Sequence, residues 1–159
     1  MSDMPATPAT RTLRAAKTPF AEHVYDHDPS VTDYGQEAAQ ALGVCADRVF
    51  KTLIVESEVG LAVVVVPVAT MMDLKAVAAA LGVKKAALAA TADAQRSTGY
   101  VIGGISPFGQ RRRLPTVLDR SATGYPSILV SGGRRGFDIE VDPQDLIRLL
   151  DAVVAPVAR

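Results

Sequence analysis

Two runs of apolar and β-branched residues, at residues 48–55 and 61–68, stand out in the middle of the chain. A polar break that contains a glycine separates them, so the pattern predicts a β-hairpin. The second run is apolar at nearly every position, which is typical of a strand that is covered on both faces. We therefore expect a central strand with helices or further sheet packed on either side of it.

Polar capping residues and terminal glycines mark the helices. Thr7 precedes Pro8, and this pair predicts a helix to about Ala16. The same signals predict helices that begin at Asp33, Asp73, Thr91 and Asp142, of which the first three end at Gly43, Gly82 and Gly99. Further strands are expected at residues 20–27, 116–118, 127–130 and 137–141. About six strands and five helices with many antiparallel neighbours predict an α+β fold.

Length and composition indicate one domain. The chain has 159 residues, of which 48% are hydrophobic, so a single domain over residues 1–159 is expected, with residues 1–6 as a flexible N-terminus. The net charge is zero, yet residues 95–136 contain seven arginines and one aspartate. This asymmetry indicates either a face that binds a polyanion or a solubilising surface, and composition alone favours neither.

Other features indicate a cytoplasmic protein. The longest apolar run, residues 61–69, is far shorter than the ~20 residues of a membrane span. The N-terminal residues lack the apolar core of a secretion signal. The single cysteine, Cys45, can form no internal disulfide, and we expect it to be buried as a small hydrophobic residue.

Lys51 is the first candidate for chemistry. It lies in the apolar segment "VFKTLIV", where strand alternation places Leu53 and Val55 on its own face. A lysine on an apolar face loses hydration unless it has a partner or faces a cleft. An exposed Lys51 remains an alternative, but a lysine that rises into a pocket can orient an anionic or carbonyl group.

The loop "GGISPFG" at residues 103–109 is the second candidate. Paired glycines allow positive φ angles and close backbone approach, so that N–H groups can converge on an oxyanion or phosphate, while Pro107 holds the shape of the loop. A glycine-rich turn alone is weak evidence, and this one matches neither a Walker loop nor a dinucleotide-binding fingerprint.

Two further segments carry polar candidates. "SGGRRGFDIE" contains Ser131 and Asp138 but not the elbow of a serine hydrolase, so Ser131 is expected to form hydrogen bonds rather than to attack a substrate. "EHVYDHD" places His23, Tyr25 and His27 on one strand face. The histidines could begin a metal site, but further ligands at a recognisable spacing are missing, and we predict no metal.

Several of these segments together resemble one protein family. "YDHDP", "VFKTLIV", "LKAVAAALGVKKA", "AQRSTGYVIGGISPFGQRRRLPT" and "VSGGRRGFDIE" follow the order and separations found in the YbaK family, the bacterial Cys-tRNA(Pro) deacylases. The resemblance covers residues 8–154. It implies an α+β domain with a mixed, mostly antiparallel, β-barrel-like sheet surrounded by helices. It also implies hydrolysis of the ester that links a wrong amino acid to tRNA.

The resemblance further implies site residues. Lys51 matches the essential lysine of the family, and Gly103 matches the glycine whose backbone faces the scissile carbonyl. The residues implied in substrate binding are Tyr25, Tyr34, Thr52, Gly104, Ile105, Ser106, Pro107, Ser131 and Asp138. Tyr34 stands where family members often have phenylalanine. The tRNA phosphates are expected to meet Arg111, Arg112, Arg113, Arg134 and Arg135.

The chemistry implied by the resemblance uses no nucleophile and no cofactor from the protein. The thiol of the substrate attacks its own carbonyl and yields a cyclic thiolactone, although an ordered water is left open as the attacking group. The implied partners are the acceptor end of mischarged tRNA(Pro) and prolyl-tRNA synthetase, with no membrane or DNA. Two alternatives remain open: editing of another mischarged tRNA, such as Ala-tRNA(Pro), and a non-catalytic tRNA- or nucleotide-binding module.

Overall fold

The computed structural model describes residues 5–159. Most of the N-terminus that was expected to be flexible, residues 1–4, lies outside the described residues, and Pro5 within them is buried. No helix in the described part of the chain is both long enough and apolar enough to cross a membrane.

The described residues form five α-helices, one 3-10 helix and eight strands. The helices are α1 (Pro8–Ala15), α2 (Tyr34–Leu42), α3 (Leu74–Leu81), α4 (Thr91–Thr98) and α5 (Pro143–Leu150), with the 3-10 helix at Arg120–Gly124. The strands are β1 (Ala21–Val24), β2 (Phe50–Ser57), β3 (Gly60–Pro67), β4 (Ala86–Leu88), β5 (Thr116–Asp119), β6 (Ile128–Arg134), β7 (Phe137–Val141) and β8 (Val153–Ala155).

The strands form two sheets. One has the order β1-β7-β6, and the other has the order β4-β2-β3-β5-β8. Only the β3–β5 and β5–β8 pairs are parallel, so the predicted α+β class with mostly antiparallel pairing is confirmed. The barrel-like sheet is corrected: within residues 5–159 the two sheets remain separate ladders and close no barrel. A bridge between Val49 and Leu129 joins them.

Strand β3 lies at the centre of the five-stranded sheet, as predicted from its continuous apolar run. Val63 and Val65 pack into the main apolar cluster, with Phe108, Leu118 and Ile139 among its members. Val64 and Val66 face the opposite cluster, together with Val77 of α3. Both faces of β3 are therefore buried, and its β-branched side chains fill two layers of the core.

The helices begin at the predicted caps with one exception. The side chains of Thr7, Asp33, Asp73 and Asp142 each accept a hydrogen bond from a backbone N–H of the first helical turn. Thr91 was expected to cap α4 but is its first helical residue, because Ala90 holds the cap position without a side-chain hydrogen bond.

Three further expectations are corrected. The strand expected at residues 20–27 is shorter, because only Ala21–Val24 pairs with β7. Strands β4 and β8 were not predicted; each has three residues, too few for a periodic pattern to show. Cys45 is exposed rather than buried, and its thiol donates a long hydrogen bond of 3.7 Å to Asp47 Oδ2.

The glycine loop packs directly on the three-stranded sheet at Gly104. A Cβ atom at this position would lie 2.7 Å from Arg134 Cα and 3.0 Å from Arg135 N. These are backbone atoms and cannot rotate away as a side chain can. The absence of a side chain at Gly104 thus sets how closely the loop approaches β6.

Substitution Gly104→Ala is expected to destabilise the fold by about 1–3 kcal/mol, because the added methyl group must push two backbones apart. Gly124→Ala is the matched control, since a Cβ at Gly124 meets nothing within 4 Å. Urea unfolding of both variants checks this. Equal stabilities for the two variants would contradict the close approach.

Candidate active site

A pocket of about 220 Å³ opens between the two sheets. Its walls come from the N-terminal half of α2, the start of β2, the glycine loop, and facing positions on β6 and β7. The lining residues are Tyr25, Thr32, Asp33, Tyr34, Gly35, Ala38, Val49, Phe50, Lys51, Thr52, Leu53, Ile102, Gly103, Ile105, Ser131 and Asp138.

Lys51 enters the pocket from β2, where it is half-buried opposite Val66 of β3. Its ammonium group donates a hydrogen bond of 2.9 Å to the carbonyl oxygen of Thr70. No carboxylate among residues 5–159 forms an ion pair with it. An ammonium group has three N–H donors, so the Thr70 carbonyl orients Lys51 and leaves donors for a ligand.

Gly103 lines the same pocket as Lys51. Its φ of +86° is in the left-handed region that favours glycine, and a Cβ here would lie 2.7 Å from the Tyr34 ring. The preceding residue is held from both sides: Ile102 N–H donates to Gln95 Oε1 at 3.0 Å, and Arg135 Nε donates to Ile102 O at 2.8 Å. Within the described chain the N–H of Gly103 has no backbone acceptor.

Asp138 supplies a buried carboxyl group on the β7 side of the pocket. The residue is 6% exposed, and burial raises its pKa to about 7. Burial also raises the pKa of the neighbouring Tyr25 hydroxyl, with smaller contributions from the charges of Asp138 and Glu37. A carboxyl group with this pKa can accept a hydrogen bond from a cationic ligand group, because the cation would favour its ionised form.

Thr52 of β2 and Ser131 of β6 add hydroxyl groups to the pocket. The Thr52 hydroxyl is buried and has no hydrogen-bond partner in the described part of the chain. Ser131 lies opposite Asp138 in the β6–β7 register, and its hydroxyl accepts a hydrogen bond of 3.2 Å from Gly133 N–H. An unpaired buried hydroxyl group lowers the stability of the free protein. A ligand that forms a hydrogen bond with the Thr52 hydroxyl would remove this cost.

The lining of the pocket contains no histidine or cysteine among the described residues. His23 pairs with Glu140 at 2.9 Å, and His27 pairs with Glu37 at 2.6 Å. Ser131 therefore has no histidine base beside it. In residues 5–159 no group of three or more potential ligand side chains is arranged to hold a metal ion. The pocket thus offers donors and a carboxyl group rather than a nucleophile activated by a base.

The remaining predicted residues lie outside the lining. Gly104, Ser106 and Pro107 are buried and support the loop from behind. The Ser106 hydroxyl accepts a hydrogen bond from Phe108 N–H. The backbone carbonyl oxygen of Ser106 accepts one from the Gln110 side chain. The five arginines expected to meet the tRNA phosphates are exposed and do not line the pocket: Arg111, Arg112, Arg113, Arg134 and Arg135.

Three residues that support the site were not predicted. Thr70 orients Lys51, Gln95 holds Ile102, and Glu37 accepts a hydrogen bond from Asp28 N–H as well as contacting His27. Gln95 stands in the segment "AQRSTGYVIGG", which was singled out for its glycines. Its side chain accepts a hydrogen bond from a residue seven positions further along the chain, and no local spacing rule predicts a contact at that separation.

Comparison with known proteins decides the family. The family model described as "Aminoacyl-tRNA editing domain" matches residues 28–149. The chain belongs to this family. The resemblance to YbaK proteins is thereby confirmed, and so is the expectation that the function lies in aminoacyl-tRNA editing.

Relatives of this editing domain match over nearly its full length. A protein of Enterococcus faecalis named "Putative Cys-tRNA(Pro)/Cys-tRNA(Cys) deacylase EbsC" is 35% identical, over 95% of this chain and 92% of its own length. The "Crystal structure of hypothetical protein APE2540" matches with a TM-score of 0.86 at 27% identity, over 96% of this chain and 99% of that chain. The "Crystal structure of a putative trans-editing enzyme for prolyl tRNA synthetase" matches with a TM-score of 0.81 at 27% identity, over 98% and 99%.

Asp138→Asn is expected to change how stability depends on pH. The folded-state pKa of about 7 is above the ordinary value of 3.8, so between these pH values the folded chain binds more protons here than the unfolded chain does. The contribution of Asp138 to the free energy of unfolding therefore falls as pH rises through this window, by up to about 1.4 kcal/mol per pH unit.

Urea unfolding of the wild type and of Asp138→Asn at several values between pH 5 and pH 8 measures this effect. The wild type should lose stability relative to the variant as pH rises. A difference that stays constant, or that changes in the opposite direction, would show that burial does not hold this carboxyl group in its neutral form.

Proposed function

We propose that this editing domain removes cysteine from Cys-tRNA(Pro), and that the thiol of the substrate performs the attack. The pocket itself carries the proposal. Lys51 and the Gly103 backbone converge on one cavity, whereas the described lining contains no nucleophile with a base beside it. A site of this kind orients and polarises an ester but leaves the attack to the substrate or to water.

The size of the pocket suits one small aminoacyl group. Its volume of about 220 Å³ is below the ~300–1,000 Å³ of pockets for drug-sized ligands. A synthetase pocket built for proline rejects other small amino acids poorly, because small differences in apolar volume are worth only ~1–3 kcal/mol. A separate hydrolytic site of small volume can restore the lost fidelity.

The polar groups of the pocket match the polar ends of an aminoacyl ester. The Asp138 carboxyl and the Tyr25 and Thr52 hydroxyls can bind the α-amino group, since all three line one cavity. The Lys51 ammonium and the Gly103 N–H can bind the carbonyl oxygen, where negative charge develops during attack. Asp138 lies on β7 and Tyr25 directly follows β1, whereas Lys51 lies on β2 and Gly103 in the glycine loop, so the substrate is held between the two sides of the pocket.

The proposed reaction needs no nucleophile or proton donor from the protein. The substrate sulfur forms a bond to the carbonyl carbon, and the ester bond to the 3′-terminal ribose oxygen breaks. The thiol proton goes to that oxygen, which leaves as a hydroxyl group, and the amino acid departs as a cyclic thiolactone. Water then opens the thiolactone to free cysteine.

We further propose the acceptor end of tRNA(Pro) and prolyl-tRNA synthetase as partners, in the cytoplasm. The name of the Enterococcus faecalis relative mentions tRNA(Pro), and one structural relative is described as a "putative trans-editing enzyme for prolyl tRNA synthetase". A pocket that contacts only the aminoacyl end cannot by itself distinguish one tRNA from another, so association with a synthetase would supply that selectivity.

Deacylation of Cys-, Ser- and Ala-tRNA(Pro), measured side by side, tests the substrate and the mechanism. Only Cys-tRNA(Pro) is expected to be deacylated rapidly, because serine and alanine lack the thiol. A thiolactone, trapped before hydrolysis, should be the first product. Equal rates for alanine and cysteine would rule out the thiol mechanism and favour an ordered water.

Lys51→Ala and Lys75→Ala serve as matched variants in the same experiment. Lys51→Ala is expected to abolish deacylation, because the variant has no ammonium group to bind the carbonyl oxygen of the substrate. Lys75 is exposed on α3 and outside the pocket, so Lys75→Ala should retain the wild-type rate. Binding of tRNA without deacylation of any substrate by the wild type would favour the non-catalytic alternative.

The salt dependence of tRNA binding tests the role of the exposed arginines. In the triple variant Arg111→Gln, Arg112→Gln and Arg113→Gln, tRNA binding is expected to weaken, and the slope of log affinity against log salt should become shallower by about 2. The triple variant Lys75→Gln, Lys84→Gln and Lys85→Gln removes as much exposed charge outside the pocket and should keep the slope. Identical slopes for the two variants would argue against phosphate contacts at residues 111–113.

A further inference from the structure

Arg135 differs from the other exposed arginines of the basic segment because its side chain is engaged at the pocket. Its Nε donates to the carbonyl oxygen of Ile102 at 2.8 Å. Its guanidinium carbon lies 4.8 Å from the centre of the Tyr34 ring, which is a cation–π contact. One side chain in the turn between β6 and β7 thus touches both the glycine loop and the start of α2.

The Tyr34 ring completes this arrangement. It packs against Gly103 so closely that a Cβ atom there would lie 2.7 Å from the ring. The ring of His27 lies 5.6 Å away from it, and His27 is itself held by Glu37. Tyr34 therefore serves as the surface on which the Gly103 backbone rests, and Arg135 presses on that same ring.

We propose that Arg135 is a positioning residue for deacylation, which holds the Gly103 N–H in place through Ile102 and Tyr34. This inference rests on the proposed function. It assigns to Arg135 a role distinct from the phosphate contact expected from its charge. Gly103 follows Ile102 directly, so a shift of the Ile102 carbonyl turns the peptide whose N–H belongs to Gly103.

The chemistry of arginine explains why another cation does not replace it here. The planar guanidinium can stack on a ring while its Nε–H, which lies in the same plane, bonds a carbonyl oxygen at the edge of that ring. A lysine ammonium can reach the ring or the carbonyl, but it does not hold both in a fixed geometry. Charge alone is therefore insufficient for positioning.

The kinetic test compares Arg135→Gln, Arg135→Lys and Arg134→Gln on Cys-tRNA(Pro). Arg135→Gln is expected to lower kcat by about 10- to 100-fold, since misplacement of a catalytic group by an ångström has effects of this size. Arg135→Lys should not restore kcat. Arg134 is exposed beside it, and Arg134→Gln should act on KM and its salt dependence instead. Arg120→Gln, on an exposed residue outside the pocket, should match the wild type.

NMR spectroscopy tests the contacts of Arg135 independently of deacylation activity. In the NMR spectrum of the wild type, the Arg135 Nε–H signal should be slow to exchange and shifted by the Tyr34 ring current. Tyr34→Phe should keep this signature and Tyr34→Leu should remove it. The Gly103 amide signal should move in Arg135→Gln but not in Arg134→Gln. Should Arg135→Gln fail to fold, Arg135→Lys supports the same comparison.

The outcomes separate this inference from the proposed function. A wild type that deacylates no aminoacyl-tRNA overturns the proposed function, while the NMR signals still decide whether Arg135 holds the loop. If Arg135→Gln resembles Arg134→Gln, with a changed KM and an unchanged kcat, Arg135 contacts phosphate and does not position Gly103. A wild-type kcat in Arg135→Lys would likewise overturn the positioning role.

Discussion

The placement of one sheet against the other is the constraint on which the whole site depends. Lys51 lies on the five-stranded sheet and Asp138 on the three-stranded sheet, so the cavity exists only where these sheets meet. The bridge between Val49 and Leu129 makes that junction two residues before Lys51. Both bridge residues are buried in one apolar cluster with α2, so water does not compete for the bridging hydrogen bonds.

The fold leaves polar atoms of the pocket without protein partners, and this has an energetic cost. The buried hydroxyl of Thr52 has no partner in the described chain, and burial raises the pKa of the Asp138 carboxyl group to about 7. An unsatisfied buried polar group costs about 1–3 kcal/mol. Natural folds tolerate such costs mainly at functional sites, where a ligand supplies the missing contacts. The same feature therefore reduces stability in the free protein and favours binding.

Sequence signals located the elements that rest on local rules. The β3 run, the caps at Asp33 and Asp73, and the glycines that end α2 and α3 all act within a few residues, and the structure has each of them where it was expected. Strands β4 and β8 were missed because each is an edge strand of three residues, too short for a periodic pattern to show. The division into two sheets and the contacts of Arg135 depend on residues far apart in the chain. Periodicity and spacing hold no information about such distances.

The exposure of Cys45 has a practical consequence. The chain contains one cysteine, and that residue lies on the surface and does not line the pocket. A maleimide dye or a spin label can therefore be attached at a residue outside the pocket lining. The unmodified protein therefore already carries a single labelling handle, suited to following its encounter with a nucleic acid or a larger enzyme by fluorescence or electron paramagnetic resonance.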